Sequence, residues 1–162
     1  MKKCLGLAAA LFVFAAAQSY SLGIGVEFNG GWNGGVPTYA PTLLLSPDDK
    51  NHIGIDFNLG YSGFAIGVHY DWWGLNDSIT SVGSGSLDFF LGPGAEVGLL
   101  LFDGFGLTFA VRGVAGLDLK FKRFDIYLQA VPKVGFRLAI PPAFRFHWGV
   151  DGALGARFWF GK

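Results

Sequence analysis

From residue 22 onward the chain alternates large apolar residues with polar or small ones at a period of two. That is the signature of strands whose two faces meet different surroundings. In 22–29, Leu22, Ile24, Val26 and Phe28 oppose Gly23, Gly25, Glu27 and Asn29. The same split runs through 39–45, 52–61 and 64–73, where Phe64, Ile66, Val68, Tyr70 and Trp72 oppose Ala65, Gly67, His69, Asp71 and Trp73. It continues through 86–101, 107–119, 125–138 and 144–160. In the last of these, Phe144, Phe146, Trp148, Val150, Leu154, Ala156, Phe158 and Phe160 oppose Arg145, His147, Gly149, Asp151, Ala153, Gly155, Arg157 and Trp159.

The pattern predicts eight strands. Turn chemistry separates them at Asn33-Gly34-Gly35, Ser46-Pro47-Asp48-Asp49, Ser62-Gly63, Asp103-Gly104 and Pro141-Pro142. Only 74–85 reads as a long link. Short links require antiparallel neighbours, hence an up-and-down meander. Pro93 and Pro132 fall inside strands, where proline removes a ladder bond, so bulges or local widening are expected there.

Volume decides which face points inward. An eight-stranded barrel encloses room for its own side chains or one small ligand. The apolar face carries too much bulk for that space, which argues against a lipocalin-like ligand barrel. The opposite face carries twelve glycines, at 23, 25, 54, 60, 67, 92, 94, 98, 116, 135, 149 and 155. The expected fold is therefore all-β, an eight-stranded antiparallel up-and-down transmembrane β-barrel with its apolar face toward hydrocarbon. Backbone groups in lipid must be paired, so the sheet must close. Trp32, Tyr61, Phe64, Tyr70, Trp72, Phe144, Phe146 and Phe158 fall near strand ends, where interfacial girdles form, although β-propensity alone favours aromatics in strands.

Composition narrows the class. At 51% hydrophobic and 17% aromatic the chain is no disordered segment. Twelve basic residues balance twelve acidic ones, without the excess of a nucleic-acid binder. The 26 glycines show no collagen period.

The first 21 residues read as a secretory signal peptide, followed by the barrel over 22–162. Lys2 and Lys3 precede the apolar run 5–17, which is shorter than the ~20 residues of a spanning helix. Cleavage after Ala17 or Ser21 suits small-residue rules. Cys4, the single cysteine, precedes the apolar run and would leave with the leader. Without Lys2 and Lys3, ten bases face twelve acids, a net charge near −2.

A weak repeat underlies the meander. Val26-Glu27-Phe28-Asn29, Ile55-Asp56-Phe57-Asn58, Leu87-Asp88-Phe89-Phe90 and Phe124-Asp125-Ile126-Tyr127 share one phrase, with acids 29, 32 and 37 residues apart. On Leu87-Asp88-Phe89-Phe90-Leu91-Gly92-Pro93-Gly94-Ala95, Val111-Arg112-Gly113, 124–132 and Gly155-Ala156-Arg157-Phe158-Trp159-Phe160, the chain resembles small eight-stranded outer-membrane β-barrel proteins. The nearest likeness is to an uncharacterised spirochaetal-type family, loosely OmpA- and OmpW-like. It covers 86–160 by motif and 22–73 by pattern. It implies a bacterial outer-membrane location, contact with outer-membrane lipid, and handling by the insertion machinery during assembly. Such families end in an aromatic residue; here Phe160 is followed by Gly161-Lys162.

The inward face carries the candidate chemistry. Glu27, Asp56, Asp71, Asp88, Glu96, Asp118, Asp125 and Asp151 share it with His69, Arg112, Lys133, Arg137, Arg145 and Arg157. Buried charge is costly unless paired. Turn positions place Glu96 opposite Arg112, Asp56 opposite His69, and Asp151 diagonal to Lys133. The expected lumen network comprises Glu27, Asp56, His69, Asp71, Glu96, Arg112, Lys133, Asp151 and Arg157. Arg137, Arg145 and His147 form a basic mouth, read either as an anion or lipopolysaccharide-phosphate contact or as like-charge neighbours.

No catalytic set is expected. Outer-membrane acyl hydrolases and acyltransferases need Ser, His and an acid near the lipid boundary, and the lipid-facing positions supply none. His52, His69 and His147 lack zinc-type spacing, and Asp48-Asp49-Lys50-Asn51 lacks EF-hand spacing. No cofactor or metal is called for. The expected role is a structural or surface-interaction barrel with a filled lumen; the alternative is a narrow channel for small solutes or apolar compounds. Short links lower the expectation of an adhesin. The 74–85 link would face a periplasmic partner or simply bridge strands, and any host partner stays unidentified.

Overall fold

A computed structural model describes residues 21–33, 36–60, 63–101, 105–139 and 143–161. Residues 1–20 of the expected leader, Tyr61 and the turns at Asp103-Gly104 and Pro141-Pro142 lie outside these, as do parts of the turns at 33–35 and 62–63.

The described chain forms nine strands: β1 (Leu22–Asn33), β2 (Val36–Ser46), β3 (Asn51–Gly60), β4 (Gly63–Trp72), β5 (Leu75–Val82), β6 (Gly85–Leu100), β7 (Gly106–Lys120), β8 (Phe124–Ala139) and β9 (Ala143–Phe160). All pairings are antiparallel. Eight strands close into a barrel, with β1 against β9 and β4 against β6. β1 runs four residues beyond its expected end, because Gly30 keeps the parity of Phe28 and Trp32 while hiding its signal.

The expectation that 74–85 is a link is overturned: most of it is β5. β4 and β5 follow one another along the same edge of β6, β4 against 94–100 and β5 against 85–91. The break between them lies at Trp73-Gly74, where Trp73 N–H turns to the carbonyl of Lys50 at 2.8 Å. Gly92 lies against this break, and a Cβ there would overlap the Trp72 carbonyl. The sequence concealed β5 for two reasons. Asn76, Asp77, Ser78 and Ser81 are polar on both faces, and a register shift between Ser78 and Thr80 resets the parity.

Three strand prolines fall at ladder interruptions, as the loss of an N–H requires. The β2–β3 ladder skips Pro41 and the β7–β8 ladder skips Pro132. Pro93 sits where β6 changes partner from β5 to β4.

The faces divide as the periodicity predicts. Outward side chains are apolar and exposed, with Val111 at 62%, Trp148 at 65% and Phe144 at 68%. Inward ones are mostly polar or charged and buried, with Asp118 at 0% and Arg157 at 2%. The inward glycines have a specific use. Gly23, Gly54, Gly116 and Gly155 stand directly opposite Trp159, His69, Phe90 and Tyr127 on neighbouring strands. Each ring lies across its glycine: a Cβ on Gly23 would meet Trp159 at 3.0 Å, and one on Gly116 would meet Phe90 at 2.5 Å. In a barrel this narrow, large rings fit only where the facing position has no side chain.

Candidate functional site

The interior is the only place where the described residues gather chemically versatile side chains, and it is built in layers. At the end holding the described chain ends and the 47–50 and 121–123 connections, Arg157 of β9 is the anchor. Its Nε donates to Asp125 at 2.9 Å, its Nη2 to Asp118 at 3.0 Å and its Nη1 to His52 Nδ1 at 2.8 Å. Arg157 can only donate, so that His52 nitrogen accepts. The guanidinium also lies 4.5 Å from the Trp73 ring centroid, 4.7 Å from Tyr127 and 5.3 Å from Trp159. Two carboxylates and three aromatic rings thus hold one buried cation, a setting suited to arginine rather than lysine. Trp159 Nε1 donates to the other Asp125 oxygen at 2.6 Å.

Above it sits an apolar layer. Trp73 stacks on Phe90 with centroids 3.5 Å apart and planes 6° from parallel, and Tyr127 meets both edge-on. Val114, Val131 and Leu44 complete this cluster. The rings come from β6, β8 and the β4–β5 break, so they meet across the lumen.

Beside this layer a polar chain circles the barrel. Tyr127 donates to Glu27, which also accepts from Gln129 at 3.0 Å and Asn29 at 2.7 Å. Asn29 donates to Thr42 at 3.0 Å, Thr42 to Asp56 at 2.5 Å, and Asp56 pairs with His69 at 2.8 Å. His69 lies 3.7 Å from Asp71, and Asp71 3.0 Å from Arg112. Glu96 bridges Arg112 at 3.7 Å and Lys133 at 3.5 Å, and Lys133 reaches Asp151 at 2.7 Å. Every barrel strand contributes a member. Each buried charge meets an opposite charge or a charge-assisted hydrogen bond, the condition for holding it out of water.

The expected lumen residues therefore lie inside, in two connected groups: Arg157 with the floor, and Glu27, Asp56, His69, Asp71, Glu96, Arg112, Lys133 and Asp151 in the belt. Two expected facing pairs are corrected. Glu96 stands opposite Ala110, and Asp56 opposite Gly67. In both hairpins the register lies two residues from the expected pairing, which places each hairpin's centre one residue earlier in the chain. A shift of two preserves every face, so each pair meets diagonally instead. Asp151 lies diagonal to Lys133, as expected. Arg137 stands directly opposite Arg145, and His147 faces Gly135 one row lower.

Periodicity alone did not single out Trp73, Phe90, Tyr127, Gln129, Asn29, Thr42, His52 or Ser46 as site residues. Except for Ser46, which reads as a turn residue and instead ends β2, their inward parity was readable; their meeting across non-adjacent strands was not. Ser46 Oγ lies 2.8 Å from His52 Nδ1 with both residues buried. The guanidinium of Arg157, rather than a carboxylate, holds that imidazole, which differs from the arrangement that activates a serine nucleophile. At the lower rim, Lys120 binds Asp88 at 2.9 Å and Asn76 at 3.1 Å, tying β5 to β6 and β7.

No family model, curated protein or solved structure matches this chain.

Proposed function

We propose that this chain is an exported integral outer-membrane β-barrel with a filled lumen, acting as a structural or surface-interaction protein without catalysis. One observation carries the reading: the closed barrel turns apolar side chains outward around its circumference and buries most of the charges on its inner face. In water the exposed aliphatic and aromatic surface would favour association at about 25 cal/mol per Å². In hydrocarbon the same surface is solvated, and the β1–β9 and β4–β6 pairings close the eight-strand wall, while β5 pairs with β6 alone. Aromatics at both ends support it further, with Trp32, Phe144 and Phe146 at one end and Tyr70, Trp72 and Phe158 at the other. The apolar run before residue 22 and the resemblance to small outer-membrane barrels supply the route and the compartment.

The layer of Trp73, Phe90, Tyr127 and Arg157 across the lumen favours a plugged barrel over a channel. The mature chain, refolded in detergent, is expected to migrate faster unboiled than boiled on a gel. In planar bilayers it is expected to give no steady openings. Equal migration would sink the membrane reading; discrete, sustained conductance would sink the plugged lumen.

A further inference from the structure

The upper rim carries a facing pair of cations, Arg137 and Arg145. Cross-strand partners form level rows around the wall. One row runs Gly94, Arg112, Lys133, Gly149 over β6 to β9. Two rows higher, at the mouth opposite the Arg157 floor, the row is Gly98, Thr108, Arg137, Arg145. Each row sets two cations directly opposite one another, an arrangement that is destabilising unless neutralised.

The lower pair is neutralised three times, by Asp71, Glu96 and Asp151. The upper pair is not: among the described residues, no carboxylate lies within ion-pair distance of Arg137 or Arg145. The row between holds Glu96, Ala110, Gly135 and His147. Glu96 is committed downward to Arg112 and Lys133. Ala110 and Gly135 place no bulk beneath the arginines. Arg145 is exposed and Arg137 half-buried, so both are reachable from outside.

We infer that the Arg137–Arg145 pair is an anion site for a phosphate group, with Thr108 as a hydroxyl partner in the same row. Two planar guanidinium forks can each take two oxygens of a tetrahedral phosphate, whereas one fork already saturates a carboxylate. The phosphate is that of a free or solute-borne phosphate, or of a lipid phosphomonoester at the rim. The site rests on the barrel wall alone; only the lipid source also rests on the membrane reading.

The test uses the refolded mature chain in zwitterionic detergent with inorganic phosphate, and in phosphatidylcholine vesicles with or without phosphatidic acid. One of these phosphates is expected to raise the unfolding midpoint. A double variant R137Q/R145Q is expected to need about tenfold more of it. K122Q/R123Q, with the same charge change at the opposite end, is expected to respond like wild type. Protection by inorganic phosphate assigns a soluble ligand; protection by phosphatidic acid alone assigns a headgroup. Should the double variant fold poorly, R145Q carries the comparison, because Arg145 is exposed. No shift with either phosphate, or equal weakening in K122Q/R123Q, overturns the site. Loss of heat-modifiable mobility would strike the membrane reading and leave the inorganic phosphate result standing.

Discussion

Tyr127 on β8 reaches over β9 to donate its hydroxyl hydrogen bond to Glu27 on β1. It does so across Gly155, which is register partner to both residues. Tyr127→Phe removes one of the three donors to a buried carboxylate and is expected to cost about 1.5–3 kcal/mol. Gly155→Ala puts a methyl into the ring and is expected to cost about 1–3 kcal/mol. Because both changes act on one contact, their costs are expected to fall short of additivity in urea titrations of the double variant. Full additivity would mean that the ring does not depend on the glycine.

Arg157→Met is expected to be among the most damaging single changes. It leaves Asp125 buried without its cation and Asp118 with Lys120 alone at 3.9 Å, at about 3–5 kcal/mol. Adding Asp118→Asn should recover part of that loss. An unfolding midpoint that drops further in the double variant would contradict the assigned pairing.

Val111 faces outward in the middle of β7, between the inward Ala110 and Arg112. In a bilayer, Val111→Lys is expected to cost about 2–4 kcal/mol. The check is the refolding equilibrium in lipid vesicles, and a neutral result would contradict both the face and the medium.

The 47–50 connection offers a pH-dependent contribution outside the strands. Asp48 accepts from the backbone of Lys50 and Asn51, both at 2.8 Å, and from the Asn51 side chain. Slight burial opposes ionisation, but the Lys50 and Asn51 hydrogen bonds outweigh it and hold the carboxyl below its ordinary range. A depressed folded value stabilises the fold above the unfolded pKa and is lost as pH falls through the folded one. Asp48→Asn is therefore expected to flatten the acid limb of stability below about pH 4. An unchanged acid limb would show that the turn is indifferent to this charge.

Parity was legible along the eight barrel strands because their side chains alternate between the two faces, and Val26, Val68 or Leu128 declare their face by residue type. Both ladder defects at Pro93 and Pro132 were legible from the missing N–H. Register was less so: the β3–β4 and β6–β7 ladders lie two residues from the expected pairing, a shift that leaves no trace in the face pattern. β5 was illegible because Asn76, Ser78 and Ser81 face polar groups such as Lys120 rather than an apolar core. The ring-on-glycine pairs were half legible. Abundant interior glycine was visible, but that Gly155 serves Tyr127 depends on the strand between two partners.

The polar belt also constrains the order of events during assembly. Glu27 belongs to the first strand, yet two of its three donors, Tyr127 and Gln129, come from the eighth. A half-built sheet ending at β4 would carry that carboxylate with Asn29 alone, in surroundings where an underpaired charge is strongly unfavourable. In the proposed bilayer setting, piecemeal insertion of early hairpins is penalised until the last strands arrive. The earliest charge in the barrel acts as a latch that only the carboxy-terminal hairpin can close.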